Sequence, residues 1–176
     1  RVTLNEVRRS ASSSDILPAG AGRISGAWTS AGLVQQNLDS GQNERFNVAA
    51  RYTPSPGRAL FASYRYTRQL VNPTGEGSEI QQIDLAAQWP VNAQWTLLGR
   101  YNYSIVDRKV LEAVAGVEYN GDCWTLRAVL HRLATTVDQT NTSFFIQLEL
   151  NGLARVGTSP LDLLRRSVPG YVSAND

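Results

Sequence analysis

The 176-residue chain has no methionine, one cysteine, one histidine, and nowhere the roughly 20 consecutive apolar residues that a helix needs to cross a bilayer. The last absence removes transmembrane helices. It leaves a soluble β protein or a transmembrane β-barrel, whose strands escape hydropathy because every second residue is polar. With His131 as the single histidine, a histidine–serine hydrolase would still need a serine within reach and an orienting carboxylate. There is no phosphate loop and no cysteine–histidine cluster for a metal, so neither a cofactor nor an enzymatic activity is expected. Cys123 has no internal disulfide partner, so it is a free thiol or half of a bond to a segment outside this chain. The net charge is only +2 and the arginines are dispersed, so nucleic-acid binding is not expected. A chain that starts at Arg1 with no initiator and no charged-then-apolar leader is expected to be a processed or excised piece of something longer.

What is present is alternation. Phe144, Ile146, Leu148, Leu150 and Gly152 fall on one face, and Phe145, Gln147, Glu149, Asn151 and Leu153 on the other, which is the period of a strand. The segment before it sets Trp124, Leu126, Ala128 and Leu130 against Cys123, Thr125, Arg127, Val129 and His131. The same reading predicts about nine strands, near 2–11, 23–36, 44–53, 58–69, 80–90, 95–105, 110–120, 123–133 and 143–154. Gly26, Gly32, Ser25 and Ser30 weaken the second of these and mark a bend or bulge. Compact turns are predicted at Thr53 to Gly57, Pro90 to Ala93 and Asn120-Gly121-Asp122. Between them fall more polar links, Asn37 to Asn43, Val71 to Gly77, Val106 to Lys109 and Thr135 to Asn141. In an up-and-down meander alternate connections share an end, so one end is tight and the other loose, as in outer-membrane barrels.

The faces agree with that architecture. The sets led by Phe46-Val48, Leu60-Ala62, Ile83-Leu85, Trp95-Leu97 and Leu111-Ala113 hold no charge. Their opposite faces hold Arg45, Arg51, Arg65, Asp84, Arg100, Glu112 and Glu118, as expected where water reaches the interior of a wide barrel. The carboxylates Glu112, Glu118 and Glu149, and His131 with them, are read as lumen residues and not as catalysts. Tyr52, Trp89, Trp95, Tyr119 and Trp124 sit beside the tight turns on the apolar register, as an interfacial aromatic girdle would; aromatics capping a sandwich core are the other reading. After Arg155 the pattern changes. Ser159 as cap, Pro160 at the first position and Asp162 start a short helix through Leu161 to Arg166, stopped by Val168-Pro169-Gly170. The fold class expected is all-β: an antiparallel up-and-down transmembrane β-barrel segment over 1–155, part of a larger barrel, followed by a periplasmic tail with a short helix over 156–176.

The runs Val114 to Tyr119, Asp122 to Arg127, Thr142 to Leu153, Leu161 to Arg166 and Pro169-Gly170-Tyr171 resemble the C-terminal part of the LPS-assembly protein LptD family, the outer-membrane lipopolysaccharide translocon of Gram-negative bacteria. The similarity is specific from about Leu111 onward and looser back to Arg1. The resemblance implies a much larger barrel in the cell outer membrane, joined to an N-terminal periplasmic domain that receives lipopolysaccharide from a periplasmic transport bridge. It implies a lumen plugged by the lipoprotein LptE, and lipopolysaccharide leaving sideways between the first and last strands. By position, Ser143 to Arg155 resembles that last strand, with Phe144, Phe145, Ile146, Gln147, Leu148, Glu149, Leu150 and Asn151 as the gate residues. Where members commonly carry two adjacent cysteines this chain has Asp122-Cys123, and the resemblance implies a disulfide from Cys123 to the N-terminal region. Two alternatives stand beside it. A porin-like channel would end on its final strand without the cysteine or the helical tail, and a soluble β-sandwich binding module would stay monodisperse without detergent.

Overall fold

A computed structural model describes residues 2–4, 15–16, 19–37, 43–69, 78–134, 139–150, 154–157, 161–169 and 171–172. The polar links at Val71 to Gly77 and most of those at Asn37 to Asn43 and Thr135 to Asn141 lie outside the described residues, as does most of the strand expected near 2–11. The strands are β1 (Val2–Leu4), β2 (Asp15–Ile16), β3 (Ala19–Arg23), β4 (Trp28–Asn37), β5 (Asn43–Ser55), β6 (Arg58–Gln69), β7 (Ser78–Pro90), β8 (Trp95–Ser104), β9 (Lys109–Gly121), β10 (Trp124–Ala134), β11 (Thr140–Leu150) and β12 (Ala154–Gly157), followed by α1 (Leu161–Ser167). They make one antiparallel sheet in which each strand from β3 onward pairs with the next, with β1 on β3 and β2 on β4. This is the up-and-down meander of a partial barrel, left open at its ends.

From β5 to β10 the strands coincide with the alternation to within two residues. Two of the expected strands are divided. The 23–36 segment bends at Ile24–Ala27, where the Ile24 and Ser25 amides both donate to the Trp28 carbonyl and the Ala27 amide donates to Ser25 Oγ. This bend gives β3 and β4 in place of one strand, and it brings Trp28 to the tight-turn end. The 143–154 segment likewise ends at Leu150, and the chain returns antiparallel as β12. Residues 151–153 between them lie outside the described residues; their sequence carries an Asn-Gly pair.

The Asn120-Gly121 pair does not form its own turn. Both residues remain in β9, and Asp122 and Cys123 link β9 to β10. Gly121 is needed there for space, because a Cβ would meet the Trp124 ring at 2.8 Å. At the Pro90 turn, Asn92 Oδ1 accepts from the amides of Gln94 and Trp95 at 2.9 and 2.7 Å, an Asx arrangement that starts β8.

The core lies between the sheet and the C-terminal tail. Helix α1 packs on the polar register of β8–β11, where Leu164 is fully buried with Leu98, Val114 and Val129, and where Phe145, Leu163 and Tyr171 close around it. We call this the inner face and the apolar one the outer face.

Candidate functional site

The two faces of the wall are inverted relative to a soluble protein. On the outer face Leu85, Leu97, Leu130, Phe144 and Ile146 are all exposed, Phe144 at 64%. On the inner face Gln88, Glu118, Thr125, Arg127, Gln147 and Glu149 are buried. An exposed apolar face of that extent suits hydrocarbon or another protein surface, whereas a water-filled or self-filled interior accommodates the polar side.

Aromatic side chains gather at the tight-turn end of the outer face. Trp95 and Tyr119 stand with ring centroids 4.8 Å apart, and Tyr119 and Trp124 5.1 Å apart. Tyr52 pairs with Trp28, with ring centroids 4.7 Å apart and planes tilted by 36°. Trp89 sits under the Arg58 guanidinium at 5.5 Å. Trp28 was not among the expected aromatics, because a single strand over 23–36 put it mid-strand. The Ser25-Gly26 pair just before it was the signal that it follows a turn.

The inner face carries two ion networks. Nearer the looser end, Arg100 holds Asp84 in a two-pronged contact at 2.9 and 2.8 Å and reaches Glu112 at 3.0 Å; Glu112 in turn lies 3.0 Å from His131 Nε2. His131 is thus the end of a chain of polar contacts across four strands. Nearer the tight end, the fully buried Arg127 donates from Nε to Glu118 and from Nη1 to Glu149, both at 2.6 Å, so that β9, β10 and β11 are tied by one guanidinium. Such charge-assisted bonds in a buried setting are strong but exacting, since removing one partner strands the other.

The tail is fastened to this second network. Tyr171 donates its hydroxyl to Glu118 at 3.0 Å. Gln88 bonds both backbone groups of Val172, donating to its carbonyl at 2.7 Å and accepting from its amide at 3.0 Å. Burial, followed by the nearby Glu118 charge, pushes the Tyr171 phenol up to about 12. The apolar seat for Leu164 was missed by strand-wise reading. Leu98, Val129 and Phe145 lie on the polar register of their own strands, and cross-strand pairing of Leu98 with Gly116, Gly116 with Val129 and Val129 with Phe145 lines them into one row.

Of the expected gate residues, Phe144, Ile146, Leu148 and Leu150 are exposed on the outer face, while Gln147 and Glu149 are buried inside and Phe145 packs against the Leu164 cluster. Asn151 lies outside the described residues. The strand itself runs Thr140–Leu150 and not Ser143 to Arg155, and it is held on both sides at its lower end, by β10 along its whole length and by β12 over Gln147–Leu150. Cys123 is exposed in the β9–β10 turn, with no disulfide partner among the described residues, and is not the first residue of β10.

The family model described as LptD, LPS transport system D, matches residues 1–95, the half in which the resemblance read from the residues was looser. A protein named LPS-assembly protein LptD from Azoarcus sp. (strain BH72) is 42% identical over 176 residues, covering all of this chain and 21% of the relative. Its namesake in Thiobacillus denitrificans is 44% identical over 177 residues, covering 100% of this chain and 23% of the relative. That of Chromobacterium violaceum is 41% identical over 93% of the chain. The chain spans about a fifth of the length of these curated relatives.

Proposed function

The chain belongs to the LptD family of LPS transport proteins, and from that premise we propose that it is a section of the wall of an outer-membrane translocon in a Gram-negative bacterium. In this reading residues 1–155 stand in the bilayer, the tight turns and the tail over 156–176 lie at the periplasmic end, and β11 forms one side of a lateral exit for lipopolysaccharide. The observation that carries it is the two-sided chemistry of β11, whose Phe144, Ile146 and Leu148 are exposed on the outer face, beside an edge that among the described residues β12 pairs over Gln147–Leu150, while Gln147 and Glu149 are buried inside. A lipid with a large polar head leaves a barrel sideways only past such a strand: the acyl chains follow the outer residues and the head stays with the aqueous lumen.

The other assignments follow the same orientation. Tyr52, Trp89, Trp95, Tyr119 and Trp124, now with Trp28, form the periplasmic-side girdle, where amphipathic rings sit at head-group level. Cys123 bonds a cysteine of the periplasmic domain, which the tight-turn position leaves in an oxidising compartment. The partners are lipopolysaccharide, the LptE plug and the periplasmic bridge. The test is made in the intact protein. Crosslinking Ser143 or Phe145 to the strand that closes the barrel should stop lipopolysaccharide reaching the surface, whereas crosslinking β11 to β10 should not. Normal delivery with the closing pair locked would eliminate the exit.

A further inference from the structure

Charge on the inner face is divided unevenly between the two halves of the sheet. On β7–β11 acids and bases hold one another: Arg100 with Asp84 and Glu112, Arg127 with Glu118 and Glu149. On β3–β6 the described charged side chains of the inner register are all arginine, namely Arg23, Arg45, Arg51 and Arg65. Thr29 has Arg23 opposite it on one side and Arg51 on the other, and Asn47 has Arg65 opposite it, which puts all four on one face. Each is exposed, and none has an ion-pair partner among the described residues. Asp84 lies two residues along β7 from Gln82, the residue opposite Arg65, but Arg100 holds it through both oxygens.

These arginines ring a hollow. The side chains of Ala19, Ala21, Ala31, Leu33, Asn47 and Ala49 line a depression of about 320 Å³ on the same face, and Asn47 is the one polar member of that lining. Along β5 the inner register reads Arg45, Asn47, Ala49, Arg51, so two cations bracket the hollow lengthwise, their backbones about 20 Å apart at the rise of a strand. Arg23 follows Ala21 on the inner register of β3, and Arg65 stands across from Asn47 on β6. Arg45 and Arg65 are thereby diagonal neighbours, an arrangement of like charges that repels until an anion comes between them.

We propose that Arg23, Arg45, Arg51 and Arg65 form an anion-binding site on the inner wall, taking the phosphate groups of an amphipathic ligand's polar head while the alanine-lined hollow receives a less polar part of it. A guanidinium fork grips a phosphate with two parallel hydrogen bonds, and several forks around one hollow engage more than one acidic group at once. The hollow lies at the lower end of the range for small-molecule sites, about 300–1,000 Å³, which suits a sugar or a short apolar group and not the broad face of a protein partner. The docked tail covers part of the inner face of β8–β11, whereas the arginines of β3–β6 stand exposed to whatever fills the interior. The identity of the ligand rests on the translocon reading, on which it is the phosphorylated head of lipopolysaccharide; the anion site itself does not depend on that reading.

The experiment uses the intact protein, with a photoreactive amino acid in place of Leu33 on the floor of the hollow. In cells this position should crosslink to lipopolysaccharide. Combining Arg23→Gln, Arg45→Gln, Arg51→Gln and Arg65→Gln should lower the yield about tenfold or more, the order expected for losing charge-assisted hydrogen bonds, and the four lysine replacements should keep much of it. In purified protein, inorganic pyrophosphate should compete with the crosslink, and lipopolysaccharide stripped of its phosphates should crosslink poorly. A lipid crosslink unchanged in the glutamine variant, no competition by pyrophosphate in the parent, or a crosslink to a protein in place of the lipid would each overturn the site. Pyrophosphate bound by the parent and not by the glutamine variant, with no lipid crosslink at all, would uphold the anion site and overturn lipopolysaccharide as its ligand in favour of a free phosphate. Failure of the translocon reading shows elsewhere, as normal delivery with β11 locked to the strand that closes the barrel.

Discussion

Replacing Arg127 by methionine should be the most damaging single change on the inner face. The arginine has no exposed surface, and its guanidinium donates to Glu118 and Glu149 at 2.6 Å each. Methionine fills most of the volume but takes away the cation that both buried carboxylates bond. Removing one partner of a buried ion pair costs about 3–5 kcal/mol. The triple variant Arg127→Met, Glu118→Gln, Glu149→Gln removes the stranded charges and should recover most of that loss, since neutral replacement of a whole buried network is often tolerated. The assay is urea unfolding of the intact protein in detergent, followed by tryptophan emission and by the mobility of unheated samples on a gel. An Arg127→Met midpoint indistinguishable from the parent would refute the electrostatic argument. So would a triple variant as unstable as the single one, because the damage would then come from lost packing.

The lipid-facing register predicts that Leu85→Arg, mid-strand on the outer face, costs about 2–4 kcal/mol of stability in a bilayer while Gln82→Arg costs little; equal costs would refute it. Tail docking should weaken at high pH. The Tyr171 phenol is raised from its ordinary 10.0 to about 12 when docked, so the docked state holds its proton more tightly and docking is lost as pH climbs through that window. Protease cleavage of the tail should therefore accelerate over this range in the parent but not in Tyr171→Phe, and a flat profile in the parent would contradict the assignment. The intact protein should migrate differently with and without reductant, and Cys123→Ser should impair assembly. Identical migration together with normal assembly of the variant would remove the proposed disulfide.

The middle of the sheet was legible in the sequence because two independent signals coincide there. From Asn43 to Ala134 period-2 alternation is clear, and the turns at Pro54 to Gly57 and at Pro90 to Asn92 carry proline, glycine or asparagine, so both signals agree on the strands beside them. Where one signal acted alone it misled. Alternation runs unbroken through Leu148 and Leu150 to Gly152, so it could not reveal that the chain turns back after Leu150. The Asn-Gly dipeptide predicted a turn at Asn120-Gly121, where the glycine instead makes room for the Trp124 ring. The tail's seat was hidden for a different reason. Leu98, Val129 and Phe145 are isolated exceptions within their own strands, and they become one apolar row only through pairing across four strands, which no single strand encodes.

That row and the Arg127 network also explain why a strand of uniform alternation is mechanically uneven. Over Gln147–Leu150, β11 is paired on both sides, and Glu149 is bonded to an arginine that also holds Glu118, to which the tail is fastened through Tyr171. Over Thr140–Phe144 it has β10 alone among the described residues, and Phe144 stands 64% exposed. Separating a strand costs free energy in proportion to the pairs and buried contacts broken, and local opening begins where these are fewest. On the proposed reading, parting from the strand that closes the barrel therefore starts at the loop end and is hardest over Gln147–Leu150, where β12, the ion network and the docked tail act together on consecutive residues.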